Sequence, residues 1–375
     1  MKNNRVLVLG NPLNHEGGMV VFNRGLIKTL NSRNNSYELE SFSIGSRMAL
    51  FYYPILKRLV YPFLLLFDLF LLFIRLYKED VKIIQLNPSL IPVPMIRDGI
   101  VLFINKFFFK KKSVIVLHGW KEHIFKKIKE YKLFKFIILK FFDSGNIIYV
   151  LSEEFRCKLI SLGLNESKIK VTTTFFYEND INDISLEPQS SKVRFVFLGR
   201  VSKLKGMSEL IEAFKIVNET HDNFICKIIG HGDQPKTIEN YKLLTKEKKI
   251  DNKIIFLGRK TGYDKFYELR NSDIYVLPSH MEGCPTTAIE ALASGLYVIS
   301  TDVGALNDII TKNNGIKVGV KQINELAEAI KVSIENLNLI RSKRNEISSY
   351  AFCNFEVTNI SKQFHKDYEI LTKFD

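Results

Sequence analysis

Two carboxylates and two cations carry the chemistry suggested by this chain of 375 residues. Glu282 and Glu290, with seven residues between them, lie in VLPSHMEGCPTTAIEALASGLYVISTDVGALNDII at 276–310. The letters before Pro278 predict a short buried strand at 273–277, followed by a loop at 279–285 and a helix at 286–293. Pro285 suits the first helical turn, where a missing N–H costs nothing. Gly295 suits the helix end, ahead of a second buried strand at 297–300. A strand, a glycine-bearing loop and a helix start together make an anion-binding device. Free backbone N–H groups and the positive end of the helix dipole meet at the carboxyl end of the strand. A carboxylate in such a corner would repel an anion unless it had another task, and accepting hydrogen bonds from sugar hydroxyls is one. On these residues alone a structural alternative stays open, with Glu282 capping the helix and Glu290 solvated on its surface.

The cations are Arg200 and Lys205, which follow a predicted strand at 193–198 and precede a predicted helix at 207–217. Two cations beside a helix start suit a diphosphate, since each can neutralise a nonbridging oxygen. Ordinary surface cations would look the same. Gly17 and Gly18 sit in a loop between the strand at 5–9 and the helix at 19–30, where glycine permits close backbone approach; a plain turn is the other reading. His118 ends a strand at 113–117, at the strand end where open α/β sheets bind ligands. A lone histidine there also fits a structural role.

The elements needed to position these groups recur along the chain. Further strands are predicted at 81–86, 146–151 and 168–172, with a helix at 153–162. A strand followed by glycine recurs at 224–232 and at 254–258. Alternating strands and helices of this kind predict an α/β fold with parallel sheets. The polar stretch 180–191 reads as a linker between two domains, and 375 residues suffice for a sizeable core in each.

PSHMEGCPTTAIEALASGLYVISTDVG resembles the donor-binding signature of family 4 glycosyltransferases, with the two glutamates at that family's spacing. FVFLGRVSKLKGMSELIEAF is similar to the same family's first strand–loop–helix of the donor domain. The glycine pair in NHEGGMVVFNRGLIKTL and the histidine in VIVLHGW sit where the family places its N-terminal loop and its sugar-side histidine. These four matches, in order, imply the GT-B fold, two facing doubly wound Rossmann-like domains with a central cleft. The implied division is an acceptor-side domain at 1–178, a linker at 179–191, and a nucleotide-sugar-binding domain at 192–355. A terminal helix at 356–375 would cross back to the first domain.

The resemblance also implies roles. Arg200 and Lys205 would stabilise the leaving nucleoside diphosphate, and Glu290 would hold the ribose hydroxyls. Glu282, with the backbone around Gly283, Cys284, Pro285 and Thr286, would hold the donor sugar, and His118 would touch that sugar from the other domain. Gly17 and Gly18 would approach the donor phosphate or the acceptor. The reaction implied is sugar transfer from a nucleotide sugar with retention at the anomeric carbon. The nucleotide sugar is a substrate, and no cofactor is expected. No Asp-x-Asp occurs, so no metal is expected to be required. The family's Asn-Gly turn after its last N-terminal strand is replaced by TTTFFYEND, which departs from the pattern at that edge. A GT-B sugar-nucleotide epimerase would share the fold, and a non-catalytic membrane-surface protein would keep the charge without the donor site. The intact set of Arg200, Lys205, Glu282 and Glu290 speaks against the second.

Composition points to a surface partner. The net charge is +14, and 106–140 holds eleven lysines against Glu122 and Glu130. Ile124, Phe125, Ile128, Phe134 and Ile138 interleave at near-helical spacing, so the segment predicts a basic amphipathic helix suited to an anionic membrane surface. A solvated lysine face is the plain alternative, and no nucleic-acid-binding motif accompanies the charge. The apolar run LVYPFLLLFDLFLLFI at 59–74, within the apolar region 48–77, falls short of the roughly 20 residues needed to span a bilayer. Asp68 and Pro62 interrupt it, so it predicts a core-facing or interfacial helix, with a transmembrane span as the lesser alternative. The four separated cysteines and the short apolar start predict an intracellular protein without a signal peptide, peripheral on the inner face of the cell membrane. The acceptor expected there is a lipid-linked or surface-polysaccharide intermediate.

Overall fold

The computed structural model describes residues 4–15, 17–33, 35–45, 54–181, 184–188 and 190–373. The chain divides into two compact units, the first made of 1–173 with 357–375 and the second of 174–356.

The first unit opens β1 (Asn4–Gly10), α1 (Gly18–Asn31), β2 (Tyr37–Ser43), α2 (Pro54–Lys78) and β3 (Val81–Leu86). It continues with α3 (Pro92–Ile104), β4 (Lys112–Leu117), α4 (Glu122–Glu130), α5 (Lys132–Asp143), β5 (Ile147–Val150), α6 (Glu153–Leu162) and β6 (Ile169–Val171). Its six strands pair in parallel in the order β2-β1-β3-β4-β5-β6. Strands covered on both faces read as unbroken apolar runs, which is why VIVL in β4 and IIYV in β5 are buried throughout.

In the second unit come β7 (Val193–Leu198), α7 (Met207–Asn218), β8 (Phe224–Ile229), α8 (Thr237–Glu247), β9 (Ile254–Gly258) and α9 (Gly262–Arg270). Then follow β10 (Ile274–Leu277), α10 (Thr286–Ala293), β11 (Tyr297–Thr301), α11 (Leu306–Ile309) and β12 (Gly315–Val318). The helices α12 (Ile323–Glu335), α13 (Leu337–Ser342) and α14 (Arg344–Phe355) close it. This sheet is also parallel, in the order β12-β11-β10-β7-β8-β9. Both units are thus doubly wound α/β layers, as the alternation of strands and helices predicts.

The last helix, α15 (Val357–Lys373), packs in the first unit. Phe364 is fully buried against Tyr149 of β5, with ring centroids 4.2 Å apart. Asp367 accepts from the Tyr149 hydroxyl and from Lys170 Nζ at 2.5 Å. Tyr37 of β2 meets His365 at 2.8 Å. Burying one phenylalanine contributes about 1.5–3 kcal/mol, so this aromatic seam is enough to fix the helix on the sheet. Of the linker expected at 179–191, residues 182, 183 and 189 lie outside the described residues. Glu187 N–H donates to Asn271 Oδ1 at 2.7 Å, which ties the stretch to the second unit.

Two sequence expectations are corrected. The helix α2 runs through Pro62 for 25 residues, longer than the apolar run implies; the part of the apolar region at 48–53 lies outside the described residues. Within α2, Val60–Lys78 has a mean hydropathy of 1.9 and is long and apolar enough to cross a membrane by length and composition. Leu69, Leu72 and Leu76 nevertheless face the core while Phe63, Leu66 and Phe70 are exposed. Asp68, the acid in that run, is turned inward and accepts from Gly45 N–H at 2.9 Å. The second correction concerns the lysine-rich segment, which is not one helix. Besides β4, where the sequence predicts a strand, it comprises the π-helical turn Asn105–Phe109, α4 and α5. Tyr131, extended at φ −99° and ψ 108°, breaks α4 from α5, so the apolar spacing spans a bend.

Candidate active site

In the second sheet β7 lies between β8 and β10, so successive connections leave β7 on one side and return on the other. Such a point of reversal leaves a crevice at the carboxyl ends of the strands, where open α/β sheets bind ligands. Arg200 and Lys205 follow β7, and Glu282 to Thr286 follow β10. The sequence-expected residues of this unit therefore collect on the two strands that flank the crevice.

The loops are stitched together by backbone. Ser279 Oγ and His280 N–H both donate to Leu204 O, at 3.2 and 2.9 Å. Thr301 Oγ1 donates to Ser279 O at 2.6 Å, fixing the same loop to β11. Gly206 takes φ +72°, and a Cβ there would lie 1.9 Å from Pro278 O, so only glycine allows this approach. Gly304, at φ +54°, likewise meets the Glu282 carbonyl, while Ala305 N–H donates to Gly283 O at 2.8 Å.

These contacts hold Glu282 where Lys205 Nζ pairs with its carboxylate at 2.5 Å. Arg200 stays exposed. Glu290, on the second turn of α10, pairs with Lys265 of α9 at 2.7 Å. Burial pushes its carboxyl up from the ordinary value while Lys265 draws it back down, so its charge depends on that partner. The solvated-helix alternative for Glu290 is thereby excluded, and with Glu282 held by Lys205 no side chain caps α10. Pro285 is itself the cap, extended at φ −73° and ψ 109°, rather than a residue of the first turn. Ala288 N–H turns back to Pro285 O at 3.0 Å, which leaves the N–H groups of Thr286 and Thr287, at the start of the helix, without an acceptor inside it.

Cys284 is buried, with its sulfur 3.4 Å from Thr174 N, and burial pushes its thiol up to about 11. It is therefore neutral, and Thr174 Oγ1 also donates to its carbonyl at 3.4 Å. The departing segment TTTFF supplies this contact. Tyr275 OH, shared with Thr287 Oγ1 at 2.8 Å, reaches Leu198 O at 3.1 Å and spans the two strands from below.

In the first unit the sheet reverses between β1 and β3. Gly17 caps α1 at φ +133°, and a Cβ on Gly17 or Gly18 would meet nothing within 4 Å, so this loop presents open backbone. Arg24 steadies it, donating to Leu13 O at 2.9 Å. His118, half-buried at the end of β4, contacts the Phe22 ring edge-on at 4.9 Å, and burial pushes its pKa down to about 4. The ring is therefore neutral at pH 7. Asn87 Nδ2 donates to Leu9 O, which leaves Asn87 Oδ1 as acceptor for Gln85 Nε2 and for His118 Nε2 at 3.0 Å. Gln85 Oε1 in turn accepts from Tyr368 of α15. The chain of donors assigns the His118 proton to Nε2 and leaves Nδ1 as an acceptor.

Sequence reasoning missed Lys265, Asn87 and Gln85. Lys265 lies 25 positions from Glu290 on another helix, so no spacing rule links them. Asn87 and Gln85 alternate along β3 and its end, but only the paired strands bring them to His118. Among the described residues no three His, Cys, Asp or Glu side chains converge in a way that could hold a metal.

Residues 179–352 match the family described as Glycosyl transferases group 1. The chain is 27% identical over 241 residues to the capsular polysaccharide biosynthesis glycosyltransferase CapM of Staphylococcus aureus, covering 60% of this chain and 62% of that one. The chain spans about half the length of the curated relatives it matches. Its fold is similar to sucrose-phosphate synthase from Thermosynechococcus elongatus, with a TM-score of 0.78 at 15% identity, covering 99% of this chain and 100% of that one. It is also similar to Anabaena HepE in complex with UDP, with a TM-score of 0.72 at 15% identity, covering 98% and 100%. These likenesses and the two parallel sheets give the fold as GT-B.

Proposed function

We propose that the protein is a retaining glycosyltransferase of family 4 type, moving a sugar from a nucleoside diphosphate donor to a lipid-linked or polysaccharide acceptor. The observation that carries this reading is the Lys205–Glu282 pair, 2.5 Å apart between the strands flanking the crevice of the second unit. A carboxylate held by a lysine beside a helix start is tolerable for an anionic ligand, because the ligand's phosphate can share the cation while the carboxylate turns to hydroxyls. Lys205 and Arg200 then neutralise the charge that grows on the leaving diphosphate, worth most when preorganised. Glu282 and the backbone from Gly283 to Thr286 receive the sugar, and Glu290 receives the ribose. His118 offers its Nδ1 lone pair to a sugar hydroxyl, and Gly17 and Gly18 offer open backbone. Retention rests on the resemblance of the motif, and donor use is supported by the UDP complex of a protein of similar fold. The likeness to CapM favours an acceptor in surface polysaccharide synthesis.

The lysine-rich face of the first unit belongs to the same proposal, holding the protein at the anionic inner face of the cell membrane, where lipid-linked acceptors reside. A thermal-shift screen against nucleoside diphosphates and nucleotide sugars tests the donor site. A ligand at 100 times its dissociation constant stabilises by about 2.7 kcal/mol, a shift easily seen. Stabilisation by one nucleoside diphosphate and by its sugar conjugate is expected, and no shift with any of them would contradict the assignment.

A further inference from the structure

We propose that an apolar groove in the first unit seats one hydrocarbon chain of an anionic membrane lipid. The groove, of about 690 Å³, lies between α3, the π-helical turn and α5. Ile96 and Phe103 line one wall and Phe136 and Ile137 the other, each more than half exposed. Water-facing walls of this kind mark a binding surface. The aromatic edge continues from Phe103 to Phe107 at 4.5 Å.

The lining selects the occupant. Apart from Ser144 its only polar side chains are Lys106 and Lys140, and no acid is among them. Lys140 Nζ stands 5.6 Å over the Phe136 ring, which places a cation at the mouth. An extended peptide laid here would leave its N–H and C=O groups unpaired, whereas a hydrocarbon has none to lose. One turn of helix, at 10–12 Å diameter and 5.4 Å pitch, fills roughly 400–600 Å³, so little more than a turn would fit. The volume falls within the range of small-ligand sites. The two lysines then meet a phosphate-bearing headgroup at the groove's mouth. This inference rests on the membrane-docking reading above and makes it specific, because one chain leaves the bilayer for the protein.

The test uses the full chain and monomeric n-alkyl phosphates below their micellar concentration, measured by calorimetry, beside flotation with anionic vesicles. Affinity is expected to rise about fourfold per added methylene until the groove is full, then level off. Ile137→Glu, on an exposed wall position, should weaken binding at least tenfold with melting unchanged. A second blocking variant is Gly99→Phe, where a Cβ would meet only the Phe141 ring at 3.7 Å. Equal affinity for a neutral alkyl maltoside, or no loss in either variant, would overturn the proposal. Vesicle binding without binding of monomeric alkyl phosphate would overturn it while leaving the docking reading intact, and absence of both would sink the two together. Dimerisation abolished by Ile137→Glu, with no alkyl phosphate bound, would show a second copy as the occupant and overturn it.

Discussion

At the scale of single residues, the site is controlled by pairings that a linear reading does not contain. Glu282 and Glu290 stand out by type and spacing, but what keeps each carboxylate in a nearly buried place is a lysine from a different element, Lys205 or Lys265. His118 shows the same pattern. Its position at a strand end is visible in the letters, while its tautomer is set by Asn87, Gln85 and Tyr368. The depressed pKa of His118 has a consequence for stability. The folded ring resists protonation down to about pH 4, while the unfolded ring takes a proton near 6.5. Between those values the unfolded state binds more protons, so this stability is fully present above about pH 6.5 and is lost as pH falls towards 4. Urea titrations at pH 7 and pH 4.5 are expected to differ, after His118→Gln, by roughly 2 kcal/mol less than in the parent protein. An unchanged difference would mean that the ring is solvated.

At the scale of elements, the sheets were legible because a parallel strand buried on both faces has to be a short unbroken apolar run. The strands β4, β7 and β10 and the helix α10 are therefore found within a residue or so of where the letters place them. What was not legible follows from context. Pro62 breaks an apolar pattern on paper, yet α2 passes through it, and the bend at Tyr131 divides a segment whose lysines suggest one continuous helix. The loops that carry the site depend on glycine for distance rather than for flexibility. Gly206→Ala forces a non-glycine residue to φ +72° and puts its Cβ against the Pro278 carbonyl. A left-handed conformation alone costs roughly 1–2 kcal/mol, and the clash must also move the Lys205 loop away from β10. Nucleoside diphosphate affinity should fall at least tenfold in this variant, a larger effect than the loss of global stability predicts. Calorimetry alongside denaturant unfolding checks both quantities, and binding retained at parent strength would show that the loop approach is dispensable.

At the scale of the whole molecule, the charge of +14 is concentrated where apolar side chains are also exposed. Phe63, Leu66 and Phe70 of α2, Phe107 and Phe108 of the π-helical turn, and Leu133 of α5 face outward among the lysines of the first unit. Phe73 meets Phe108 at 5.7 Å, which joins the α2 face to the turn. Exposed charges are screened within about 8–10 Å at physiological salt, so a purely electrostatic attachment would release in concentrated salt. Sedimentation with anionic vesicles is expected at low salt. High salt should release most of the protein if the lysines dominate, whereas a fraction that needs detergent would assign the hold to the apolar face of α2. No sedimentation at low salt would contradict membrane docking altogether.

The central claim is that the second unit holds a nucleoside diphosphate by its phosphates and ribose, and that His118 acts on the sugar alone. Calorimetry of Glu290→Ala and His118→Ala with the product nucleoside diphosphate, beside initial rates of sugar transfer, tests it most directly. A lost hydrogen bond to a charged group is worth about 1.5–3 kcal/mol, or roughly 10- to 150-fold in affinity. Glu290→Ala should show that loss for product and donor alike. His118→Ala should bind the product as the parent does while its turnover falls, because a group that meets only the sugar and its developing charge contributes nothing to nucleotide binding. Equal loss of product binding in both variants, with both folded, would contradict the division of roles.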